Sequence, residues 1–195
     1  GSESNDRYDP GMTDVTADSM IDADVLDALL HEIDLNSEVL MTWDYERSRN
    51  ALAKLYEKAK TSQWNATDLP WDIDVDMEKL AASSNIQRFG VLHQPDSPVA
   101  KWGDKEWVEF RVHSQAASLS QFLHGEQGAL VCTGLITATT PWIDAKYYAA
   151  TQVMDEARHV EVFARYLDEK IQLKYPINDN LGGLLDTIVE DGRWD

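Results

Sequence analysis

The sequence predicts an all-α protein, and three observations predict it. Apolar residues recur at helical spacing near the N-terminus, two long stretches (about 104–137 and 142–173) read as continuous helices, and a Thr-Pro pair separates these two with almost no connecting chain. So short a connection makes the long helices antiparallel neighbours.

The elements follow in order. Gly1-Ser2 reads as a scar from tag removal, and residues 1–20 form an acidic, polar tail with few residues able to anchor a core. A helical domain is expected over 21–195. Residues 21, 25, 26, 29, 30 and 33 are apolar, which predicts a short surface helix over 21–33 with acids on its other face. A second helix is expected from Asn36-Ser37, as caps, to about Ser62, through Tyr45, Leu52, Leu55 and Tyr56, with a Lys-rich end. Trp64 to Asp76, with two Trp, a Pro and alternating acids, predicts an irregular, extended connection laid across the bundle. Asp72, Asp74 and Asp76 invite a calcium reading, but a calcium loop starting at Asp72 needs Gly and Glu where Met77 and Ser83 stand, so a solvated acidic loop is expected. Asn65-Ala66-Thr67 matches a glycosylation pattern that is idle without a secretory route. The long helices run from about Asp104 to Thr137 and from Trp142 to Leu173, with Thr140 as cap and Pro141 in the first turn of the second. Residues 174–180 read as a loop and 181–189 as a short helix.

Composition excludes some partners. Seventeen basic against thirty-five acidic side chains give a formal charge of −18, which repels nucleic-acid phosphates and anionic lipid, so neither nucleic acid nor membrane is an expected partner. No apolar run reaches membrane-spanning length, and the N-terminus lacks the basic-then-apolar order of a signal peptide. Cys132 has no internal disulfide partner and lies in an apolar run, as a small buried thiol would. A cytoplasmic protein is expected.

The chemistry sits on the two long helices. Glu156-Ala157-Arg158-His159 places a carboxylate and an imidazole three residues apart, on nearly one helix face, where both can reach one ion. Alone, such a pair reads first as a surface salt bridge. Glu126 changes the odds, because it lies in the preceding helix among small and apolar residues, where an unpaired charge costs several kcal/mol. A fold at Thr140-Pro141 leaves 126 and 156 about equally far from the turn, so the two should face each other at one level. Carboxylate and imidazole together suit iron and leave coordination positions for dioxygen. Gly125, Gly128 and Gly134 weaken the helix, either to leave room beside Glu126 or to let helices pack closely. His124-Gly125-Glu126 matches the H-x-E of zinc deaminases, but the downstream P-C-x-x-C is missing. Asp155 and Glu161 point elsewhere on the helix and read as surface charges; His31, His93 and His113 read as ordinary histidines.

A Glu on one helix and Glu-x-x-His on its neighbour are half the ligand set of di-iron bundles. Glu126, Asp155-Glu156-Ala157-Arg158-His159 and, less specifically, Leu55-Tyr56-Glu57-Lys58-Ala59-Lys60 with Gln63-Trp64 and Trp71 make the chain resemble the ferritin-like di-iron carboxylate superfamily over most of its length. The likeness is to the oxygen-activating branch: bacterial multicomponent monooxygenase hydroxylases, the ribonucleotide reductase radical-generating subunit and p-aminobenzoate N-oxygenase-like proteins. It implies half of a ferritin-like four-helix bundle with additional N-terminal helices, two iron ions (or manganese with iron) and dioxygen as co-substrate. It also implies Glu126 as a terminal ligand, Glu156 as the bridge and His159 as a nitrogen ligand whose other ring nitrogen donates to an outer acceptor, usually a carboxylate.

The second Glu and second Glu-x-x-His are not found after His159. The closing Gly192-Arg193-Trp194-Asp195 resembles the family segment leading into the third bundle helix, so the chain is expected to be an N-terminal half. A second polypeptide or C-terminal fragment is the expected complement, with a homodimer as the alternative. The expected activity is oxygenation of a small organic substrate, with an electron donor as a further partner. The rivals are a ferroxidase or iron-storage protein and a non-catalytic scaffold subunit.

Overall fold

A computed structural model of the protein describes residues 30–35, 37–83 and 94–193. The chain divides into two compact units, 1–33 and 34–195. In the first, the tail and most of the expected helix over 21–33 lie outside the described residues, and residues 30–33 carry no helix. In the second, the described residues form helices and no strands: α1 (Asn50–Thr61), α2 (Met77–Ser83), α3 (Asp104–Thr139), α4 (Ile143–Tyr166) and α5 (Asp179–Asp191). None is long and apolar enough to cross a membrane.

The α3–α4 hairpin is the frame. Asp104 and Glu106 favour the α3 N-terminus, and the Gly103 N–H donates to Glu106 Oε2 at 3.0 Å. At the other end Thr140 precedes Pro141, whose ring forces it into extended conformation (φ −70°, ψ 138°), so α3 stops at Thr139. Thr140 therefore closes α3 and does not cap α4, which begins only at Ile143. Lys146 reaches back from α4, its Nζ donating to Thr137 O at 2.9 Å and Ala138 O at 3.2 Å, which satisfies two of the carbonyls a helix end leaves open.

The second long helix runs almost as far as expected. Its α-helical part ends at Tyr166 and one π turn over Leu167–Ile171 continues it, closed by Gln172 in left-handed conformation (φ 58°). Contacts to α3 replace the helical hydrogen bonds: the Tyr175 N–H donates to Ser120 Oγ at 3.0 Å, and Gln121 binds Pro176 O and the Asn178 N–H, each at 2.8 Å. Leu167 is fully buried and joins Met77, Ala116, Leu123 and Ile171 in the core. Asn178 then caps α5, accepting from the Leu181 N–H, and α5 packs on α3. Its last turn needs Gly192, whose φ is +57° and whose missing Cβ leaves room for Ser37 Oγ, 2.7 Å from where that atom would lie.

The expected helix from 36 to 62 forms only over Asn50–Thr61; residues 37–49 are a strap across the hairpin turn. Side chains capture the amides a helix would need: Thr42 Oγ1 accepts from the Asp44 N–H at 3.3 Å and Asp44 Oδ1 from the Glu46 N–H at 3.0 Å. The hairpin takes the rest. The Leu40 N–H donates to Ala138 O at 2.9 Å, while Asp144, 1% exposed, accepts from Arg47 Nε at 2.7 Å and from the Arg49 N–H at 3.0 Å. The Arg47 guanidinium lies 5.6 Å from both the Tyr56 and Tyr147 ring centroids, and those rings stack at 5.4 Å, fixing α1 against α4.

The Arg47 hydrogen bond, helped by the Arg49 amide, holds the Asp144 carboxyl below its ordinary value. A depressed acid contributes stability that is complete above its unfolded value and lost as pH falls through the folded one. The stability difference between wild type and Asp144→Asn should therefore be constant above about pH 5 and shrink below about pH 4. Denaturant titrations across that range test it; a difference that widens in acid would contradict the assignment.

The connection from 62 to 76 is irregular, as expected, with one 3₁₀ turn at Ala66–Asp68. Asn65 caps that turn, accepting from the Thr67 N–H, so its side chain has a structural task. Trp71 pins the segment to α4: its Nε1 donates to Ala66 O at 2.7 Å, Arg165 lies 4.3 Å over its ring, and Lys170 Nζ donates to its carbonyl at 2.5 Å. Asp76 opens α2, a helix not read from the sequence, by accepting from the Lys79 N–H at 2.8 Å.

Candidate metal centre

The structure brings all three residues singled out by the sequence into one cluster. Glu126 projects from the middle of α3, Glu156 and His159 from adjacent turns of α4. His159 Nδ1 lies 3.2 Å from Glu126 Oε2 and 3.0 Å from Glu156 Oε2, and one donor atom from each residue lies within 4.8 Å of the others. The equal spacing about the hairpin turn thus places 126 and 156 at one level.

The donor geometry suits a cation. Two neighbouring ligands in an octahedral shell, each about 2.1 Å from the ion, stand roughly 3.0 Å apart, which the two His159 contacts match. Burial raises the Glu126 carboxyl above its ordinary range, and its neighbour Glu156 adds to the rise, against the opposing pull of His159. For His159, burial lowers the imidazole, but hydrogen bonds and charge from Glu156 and Glu126 outweigh it and the group is raised. Nδ1 faces both carboxylates, so the three donors surround the place a metal ion would take.

None of the three is fully buried; the side chains are 27% (Glu126), 18% (Glu156) and 41% (His159) exposed. The face around them is apolar and uncovered. Phe122, one turn before Glu126, is 58% exposed and stands 6.0 Å from the Phe163 ring, one turn after His159. Beside Glu126 an open cleft of about 730 Å³ runs between α3 and the start of α5, lined by Phe122, Gly125, Leu181 and Leu184 among others.

The glycines divide between the two roles. A Cβ at Gly128 would stand 2.4 Å from Leu185 Cδ2, so this glycine lets α5 pack against α3. At Gly125 and Gly134 a Cβ would meet nothing within 4 Å, so Gly125 is open space on the cleft wall next to Glu126.

Other expected residues fall elsewhere. Asp155 is not a plain surface charge, because it pairs with the buried Arg158, while Glu161 is exposed. His124 Nε2 meets Tyr175 O at 2.9 Å and His113 Nδ1 meets the Tyr175 hydroxyl at 2.5 Å, both structural contacts; His93 lies outside the described residues. No carboxylate stands on His159 Nε2 among the described residues. What sequence reasoning missed is Trp64, whose ring stacks on His159 with centroids 6.0 Å apart and 28° between planes. The pair Gln63-Trp64 ahead of Glu-x-x-His was its only signal. Comparison with family models, with curated proteins and with solved structures finds no match for the chain.

Proposed function

We propose that this chain supplies half of a carboxylate-bridged di-iron centre in a ferritin-like oxygenase, with the remaining ligands brought by a second polypeptide or C-terminal fragment. The observation that carries the reading is the convergence of Glu126, Glu156 and His159 Nδ1 on an uncovered apolar face. Two carboxylates and one imidazole make a hard-to-borderline donor set suited to iron. Three donors fall short of what two such ions take, and the exposed Phe122 and Leu184 beside them make an edge that a partner would cover.

Two irons, when bound, would supply the electrons that reduce dioxygen and the oxidising equivalent that attacks a C–H bond or an amine nitrogen. The protein's own part is positional. His159 gives up its Nδ1 proton so that the lone pair can bind. Glu126 and Glu156 would offset the cationic charge, and Phe122, Leu181 and Leu184 would exclude water beside Glu126 once a partner covers the open cleft, which has room for a small organic substrate. An electron donor protein would restore the reduced state between turnovers.

Native mass spectrometry after anaerobic iron loading, with oxygen uptake measured on the same sample, tests this. A complex with a second, different chain and two irons, whose oxygen uptake requires an organic substrate, is the expected result. A homodimer whose uptake follows added iron alone would replace the reading with ferroxidase and storage, and an iron-free chain would remove it.

A further inference from the structure

The stack of Trp64 on His159 does not stand alone. Arg158, whose side chain is 6% exposed, lies with its guanidinium carbon 5.1 Å from the Trp64 ring centroid on α4, next in sequence to His159. Its Nη1 donates to Gln63 Oε1 at 2.5 Å and its Nη2 to Asp155 Oδ1. Three separate contacts therefore hold one buried cation: an amide from the residue before Trp64, a carboxylate on its own helix and the indole face. Its Nε is buried with no protein hydrogen-bond partner, so the contacts of its other groups hold the side chain. Those contacts fix Gln63 and Trp64, and hence the ring lying on His159.

An imidazole on an α-helix turns about two bonds, and the orientation present aims Nδ1 at both Glu126 and Glu156. Among the described residues no hydrogen bond to Nε2 sets that orientation, although an outer acceptor there is the usual device for orienting a histidine ligand. We propose that Trp64 and Arg158 are positioning residues which take over that task, so that the connection ahead of α2 sets the aim of a metal ligand on α4. The inference rests on the reading of Glu126, Glu156 and His159 as metal ligands. It adds that, beyond the Nδ1 contacts to the two carboxylates, the ring is held by a stacked indole and not by a hydrogen bond at Nε2.

Two measurements on the full chain separate this inference from the reading beneath it. In the metal-free protein, NMR of the His159 ring should show an upfield ring-current displacement and contacts to Glu126 and Glu156 that vanish in Trp64→Ala and persist in Trp64→Phe. Cobalt(II) titration, read by its visible ligand-field bands, should show affinity falling roughly ten- to hundredfold in Trp64→Ala, the loss typical of outer partners. Trp64→Phe should recover most of it, and Arg158→Met should weaken binding in the same direction. Trp64 is 36% exposed, so Trp64→Ala leaves the core intact. An unchanged His159 ring in Trp64→Ala overturns the positioning role, as does a displaced ring with unchanged cobalt affinity. If wild type takes up no cobalt that depends on Glu126, the metal reading fails and the proposed role in metal binding falls with it, even where the NMR shows the clamp to exist.

Discussion

Glu126→Ala should abolish the proposed two-iron loading and iron-dependent oxygen uptake, while the metal-free protein should melt no lower than wild type. The first half follows from the geometry. Glu126 supplies the only α3 donor in the cluster, so its loss leaves an i, i+3 pair on one helix with nothing opposite. The fall in affinity should exceed the ten- to hundredfold typical of outer partners. The second half follows from the sign of the carboxyl shift. Burial and Glu156 raise the Glu126 carboxyl against the pull of His159, so ionising it is harder in the folded than in the unfolded chain and its removal should cost the metal-free fold little. Metal analysis, oxygen electrode traces and melting curves on one preparation check both halves. Turnover equal to wild type would sink the assignment, and a large loss of metal-free stability would show that Glu126 holds the fold.

Leu167→Ala has the largest expected effect on the fold. Leu167 has no exposed surface and sits where α4 gives way to the π turn, within the core shared with Met77, Ala116, Leu123 and Ile171. Removing a buried leucine side chain costs about 3 kcal/mol, through lost burial and the cavity left behind. For a domain of this size that lowers the melting temperature by roughly 6–12 °C. Differential scanning calorimetry measures it, and a loss below about 1 kcal/mol would mean that the surrounding core closes over the space.

The parts legible in the sequence were those that local pattern determines. The α3–α4 hairpin follows from apolar periodicity and from Pro141, and the cluster follows from helix geometry once the hairpin is fixed: Glu156 and His159 by their spacing, Glu126 by its distance from the turn. The parts that were not legible depend on residues far away. Residues 37–49 look helical until Asp144 takes the Arg49 amide and the Arg47 side chain. The end of α4 looks α-helical in sequence until Leu167 and Ile171 are placed in the core shared with α3, where the last turn widens to a π turn. Asp155 looks like a surface charge until Arg158 is placed beside it, and Trp64 looks like one more aromatic in a loop until it lies on His159. The seven-residue α2 lies below the length at which periodicity speaks.

The strap and the connection from 62 to 76 also imply an order of events. Arg47 meets Asp144, Gln63 meets Arg158 and Trp71 meets Lys170, partners separated by 97, 95 and 99 residues respectively. On the ribosome the earlier member of each pair emerges long before the later one exists, and closing so long a loop carries an entropic cost that the local hairpin avoids. The segments synthesised first are thus expected to be the last bound, with the Trp64 indole docking on His159 after the α3–α4 hairpin has formed.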